Sequence, residues 1–73
     1  MLKAKILVID DEVQIRRLLE ITLQSNDFEV NTAASGAEGI AMVAQHPPDL
    51  VLLDLGLPDT SGFDVLRHLR EWY

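Results

Sequence analysis

Lys5-Ile6-Leu7-Val8-Ile9-Asp10-Asp11-Glu12 decides the fold, and Asp49-Leu50-Val51-Leu52-Leu53-Asp54 repeats its pattern later in the chain. In each stretch a short run is apolar at every position and ends abruptly in aspartate. A strand with one wet face alternates apolar and polar residues. An unbroken apolar run instead suits a strand covered on both faces, as in a parallel sheet. The acids then fall at the carboxyl ends of two such strands.

Working outward from these runs, Val13 to about Leu23 reads as a first helix. Ile15, Leu18, Leu19 and Leu23 recur at helical spacing, Arg16, Arg17 and Glu20 fall elsewhere, and Ser25-Asn26-Asp27 supplies a stop. Phe28, Val30 and Thr32 alternate with Glu29 and Asn31, the pattern of an edge strand with one more exposed face. Ser35-Gly36-Ala37-Glu38 fits the S-x-x-E capping box and predicts a second helix with Ala37, Ile40, Ala41 and Ala44 facing inward. His46-Pro47-Pro48 cannot continue that helix, because proline lacks an amide donor and biases its predecessor away from helical dihedrals. After the third strand, residues 54–60 read as a turn-rich loop. Ser61-Gly62-Phe63-Asp64 then caps a third helix carrying Val65, Leu66, Leu69 and Trp72 on one face. The order βαβαβα with short connections calls for a parallel sheet and right-handed crossovers.

Composition narrows the function classes. With 73 residues there is room for one domain at most, and a chain this short buries only about 60% of the surface its unfolded form exposes. Hydrophobic residues at 48% and charged residues at 25% give the balance of a packed core rather than a disordered tail. A net charge of −6 with six scattered basic residues argues against direct contact with nucleic acid. The absence of cysteine removes disulfides and thiolate metal sites as devices for stabilising a small core. Ile6 to Ile9 is too short for a signal-peptide core or a membrane span, so the chain is expected to be soluble and cytoplasmic.

Asp10-Asp11 and Asp54 occupy equivalent places. In open parallel sheets, ligands bind beyond the carboxyl ends of the strands where the strand order reverses. Order 2-1-3 brings the three carboxylates together there, whereas order 1-2-3 separates them by a strand width. Converging carboxylates repel one another unless a cation neutralises them. Oxygen ligands alone select a hard ion such as Mg2+. Zinc is disfavoured without cysteine and with His46 and His68 away from the acids. A cation touching Asp54 would stabilise charge on a phosphoryl group arriving there, which makes Asp54 a plausible nucleophile. Against this stands the plainer reading, in which a strand-end aspartate caps a helix or sits solvated in a loop. The histidines fit surface positions near helix ends, Trp72 fits packing, and no phosphate-cradling G-x-x-x-x-G-K loop is present.

Ile6 to Glu12, followed by Asp49 to Asp59 and Gly62, resembles the receiver domain of two-component response regulators along the whole chain. Leu53 to Asp59, with Leu66-Arg67 and Arg70-Glu71-Trp72, is similar to the regulators of potassium-uptake operons within the winged-helix class. The resemblance implies a flavodoxin-like receiver fold with a three-stranded sheet of order 2-1-3, and residues 1–73 as the N-terminal portion of that domain. It implies that Asp54 is the phosphoacceptor, Asp11 a direct Mg2+ ligand, Asp10 a ligand through water, and the Gly56 backbone carbonyl a further ligand. Pro58 and Gly62 would shape the loop around Asp54. The phosphoryl donor would be a phosphohistidine of a sensor histidine kinase docking at the first helix, and the parent would control transcription.

A complete receiver also carries a Ser or Thr ending a fourth strand and a Lys ending a fifth. Their absence leads us to expect weak magnesium binding and slow, short-lived phosphorylation of this chain. Strand three would be an open edge, so self-association through it or through the uncovered sheet face is expected, as a symmetric dimer. Two rival readings remain. A haloacid-dehalogenase-type phosphatase also uses a strand-end aspartate, but its D-x-D pattern is not matched by Asp54-Leu55-Gly56. A half-fold assembly module would leave the acids idle.

Overall fold

A computed structural model describes residues 3–54. It contains β1 (Lys5–Ile9), α1 (Val13–Ser25), β2 (Glu29–Ala33), α2 (Gly36–Gln45) and β3 (Leu50–Leu53). The expected third helix lies outside the described residues, as does Gly56. The sheet is parallel with order β2-β1-β3. Among the described residues the alternating strand is therefore at an edge, and β1, apolar from Ile6 to Ile9, is central.

Because side chains alternate along a strand, β1 feeds two cores. Leu7 and Ile9 point to one face, where they meet Ala33 of β2 and Val43 of α2, with Ile40, Met42, Val51 and Leu53 packed around them. Ile6 and Val8 point to the other face and join Val30, beneath Leu19 and Leu23 of α1, with Phe28 and Leu52 alongside. The two helices thus cover opposite faces, as right-handed crossovers from successive parallel strands require.

The stop of α1 has a complete physical account. Asp27 adopts the left-handed conformation at φ 69°. Its N–H donates to the Gln24 carbonyl, and the Phe28 N–H donates to the Leu23 carbonyl. Together these form a Schellman ending, with the Leu23 and Phe28 side chains packed in the same core. The Ser25 hydroxyl and the Asn26 amide donate back to the Ile21 and Thr22 carbonyls, tying both side chains to the end of the helix. At the start of α2 the Ser35 oxygen accepts from the Glu38 N–H at 3.1 Å, as the capping box predicts. The reciprocal bond differs by one residue, since the Glu38 carboxylate accepts from Ala34 rather than from Ser35.

Three expectations about cover need correction. On α2 the buried residues are Gly36, Gly39 and Val43, whereas Ala37, Ala41 and Ala44 are exposed. Of the inward set read from the sequence, only Ile40 is partly buried against the core. The helix turns Gly39 to the sheet because a residue without a side chain allows close approach. A Cβ built on Gly39 would lie 2.8 Å from Ile9 Cγ1, a separation real carbon atoms do not tolerate. On α1, Leu19 and Leu23 do pack against the sheet, but Ile15 and Leu18 are 42% and 64% exposed. β3 is half-buried rather than covered on both faces, and its Leu50 is exposed.

Candidate metal centre

Register decides the site. Ile9 of β1 pairs with Ala33 on one side and with Leu53 on the other, so the residues that follow, Asp10 and Asp54, emerge side by side at the same edge of the sheet. Hydrogen bonds carry the ladder one step past the strands: the Asp10 N–H donates to the Ala33 carbonyl at 3.1 Å and the Asp54 N–H to the Ile9 carbonyl at 3.0 Å. The backbone of both acids is thereby fixed before their side chains are considered.

Asp10, Asp11 and Asp54 each offer a carboxylate oxygen, and these three oxygens lie within 4.8 Å of one another. Asp10 and Asp54 are partly buried, and Asp11 is exposed. The Asp10 carboxylate accepts from the Glu12 N–H at 2.9 Å, which tightens the turn into α1 and leaves its second oxygen for other partners. Glu12 itself is the N-cap of α1 but makes no side-chain cap bond, and its own N–H is satisfied by Asp10, two residues earlier. A cleft of about 380 Å³ is lined by Asp10 and Asp54 together with Val8, Ile9, Leu19, Leu52 and Leu53. The sequence placed these three acids together only on condition of the 2-1-3 order, and that condition is met.

The donor set is oxygen throughout, two strand ends supply it, and one member remains open to water. That chemistry fits a small hard cation better than zinc. His46 caps the opposite end of α2 and takes no part in the cluster. One neighbour of the site went unnoticed in the sequence. Arg16, assigned only to a position off the apolar stripe, donates from Nη1 to the Asp10 carbonyl at 2.8 Å. Its position one helical turn past the acids was the available signal, but spacing alone does not reveal a side chain folding back onto a loop carbonyl.

Residues 6–73 match the family described as the response regulator receiver domain. The transcriptional regulatory protein KdpE of Mycobacterium tuberculosis is 57% identical over 67 residues, covering 92% of this chain and 30% of that protein. Among solved structures, a CheY-like receiver domain protein from Methanospirillum hungatei superposes with a TM-score of 0.95 at 30% identity, covering 97% of this chain and 57% of that one. The response regulator protein TrrA from Thermotoga maritima, in complex with Mg2+-BeF, superposes with a TM-score of 0.90 at 39% identity, covering 94% of this chain and 60% of that one. The chain therefore spans 30% of the length of this curated relative.

Proposed function

The chain belongs to the response regulator receiver family of two-component systems, and from that premise we propose that Asp54 accepts a phosphoryl group from a phosphohistidine of a sensor histidine kinase. The observation that carries this reading is the convergence of the Asp10, Asp11 and Asp54 carboxylates within 4.8 Å at neighbouring strand ends. Asp11 and Asp54 would hold Mg2+ directly, Asp10 through water, and the Gly56 backbone carbonyl would complete the protein's share. When bound, the cation offsets carboxylate repulsion and stabilises negative charge on the transferring group.

The remaining chemistry belongs to the chain. An Asp54 carboxylate oxygen attacks phosphorus, the bond from phosphorus to the imidazole nitrogen breaks, and an acyl phosphate forms on Asp54 as the imidazole leaves with its electron pair. The ladder bond from the Asp54 N–H to Ile9 holds the acceptor at the strand end during this exchange. Such a protein is a switch that alters only its own phosphorylation rather than an enzyme with an external turnover substrate. In the parent protein the switch controls transcription from the cytoplasm. Among the described residues no helix is long and apolar enough to cross a membrane. The net charge of −6 supports leaving DNA contact to another part of the parent. As a free 73-residue chain it pairs with a second copy, through β3 or the sheet face beside α1.

The test is incubation with a small phosphodonor and Mg2+, read by intact mass. A magnesium-dependent gain of one phosphoryl group, lost in Asp54→Asn, is expected. A gain that Asp54→Asn retains, or none at any magnesium concentration, overturns the proposal.

A further inference from the structure

Asp10 is gripped at three points, and each fixes a different part of the residue. Its N–H donates to Ala33, which sets the peptide entering it. Its carboxylate accepts from Glu12, which sets the side chain. Its carbonyl accepts from the Arg16 guanidinium at 2.8 Å in a partly buried contact, which sets the peptide leaving it. That last peptide leads directly into Asp11, the most exposed member of the cluster, and its orientation determines where the Asp11 side chain projects.

We infer that Arg16 is a positioning residue: by holding the Asp10 carbonyl it turns the Asp11 carboxylate toward Asp54. The inference rests on the reading of the three acids as a cation site. Two physical arguments support it. Groups behind a metal ligand that fix its orientation govern affinity, because a ligand free to rotate must be ordered when the cation arrives. The grip also occupies a carbonyl oxygen, so the loop presents carboxylates to the site. Arginine suits the task, since its rigid planar fork loses less freedom per bond than the flexible lysine stem.

Charge alone would act in the opposite sense. A guanidinium close to a cation site repels the cation, so its removal would tighten binding if electrostatics were its only role. The sign of the effect therefore separates the two explanations.

The 73-residue chain and its Arg16→Met, Arg16→Lys and Asp11→Asn variants would be titrated with MgCl2 by calorimetry, after circular dichroism confirms their fold. The dissociation constant should rise about tenfold in Arg16→Met, by the usual effect of removing a group behind a ligand. Arg16→Lys, which keeps a donor and the charge, should recover most of the loss. The Asp11 amide nitrogen should shift in the NMR spectrum of Arg16→Met and return toward its original position in Arg16→Lys. Unchanged or tighter binding in Arg16→Met, while Asp11→Asn weakens it, overturns the role of Arg16 and leaves the cation site standing. Magnesium binding that Asp11→Asn does not weaken, or no binding by the unmodified chain, overturns the site and the inference with it. Should Arg16→Met fail to fold, Arg16→Ala, which also removes both the donor and the charge, is read by the same criteria.

Discussion

β1 and β3 carry nearly the same instruction and meet different fates. Each has four consecutive apolar residues, each stops at aspartate, and the two lie side by side in register. Yet Ile6 to Ile9 are 0–3% exposed, whereas Leu50 is 53% exposed and Val51, Leu52 and Leu53 are only half-buried. β1 has a strand on each side and a helix over each face. Among the described residues β3 has a strand on one side only, and its contacts with the helices are partial. An unbroken apolar run thus records that a strand requires cover, while the supply of cover depends on elements elsewhere.

The largest expected effect tests this contrast directly. Leu7→Ala should cost about 2–5 kcal/mol, because it empties a closed core position. The same truncation at Leu50 should cost less than about 1 kcal/mol, since much of that side chain already meets water. Urea unfolding measures both, and equal losses would mean that β3 is as well covered in solution as β1.

A smaller effect probes what keeps β1 dry. Gly39→Ala should destabilise by about 1–3 kcal/mol through crowding against Ile9, although alanine favours a helix over glycine by about 1 kcal/mol. Adding Ile9→Val removes the outermost clashing carbon, so the double variant should lose less than the sum of the single ones. Strict additivity in thermal melts would show that α2 does not rest on β1 through this contact.

The smallest energetic effect concerns the side of β3 that has no partner strand among the described residues. Sedimentation should detect self-association of the 73-residue chain, and Leu50→Lys should weaken it with little change in the secondary structure, since a charge on an edge strand discourages pairing. A folded monomer at micromolar concentration would show that the half-covered state of β3 needs no second copy.

Much of the fold was legible because the signals are local. The bounds of β1 and β3, the Ser35 cap and the proline stop each depend on a few adjacent residues, and the family reading drawn from the strand-end acids agrees with the match over residues 6–73. The inward face of α2 was misread because a hydrophobicity pattern favours alanine over glycine. Packing against Ile9 favours the residue with no side chain. Arg16 was missed for a related reason, since its partner is a backbone carbonyl, and every residue has one.

The sequence by itself determined where β1, β3, α1 and α2 begin, which strands need cover, and which acids end them, because dihedral preference, capping and periodicity act over a few residues. Periodicity left the strand order open and only the family resemblance implied β1 between β2 and β3, as the structure bears out; tertiary structure decided that Asp10 and Asp54 emerge abreast and that α2 approaches by Gly39. Those outcomes follow from the pairing and packing of segments far apart in the chain, where the separation of two surfaces, rather than the character of either one, sets the energy.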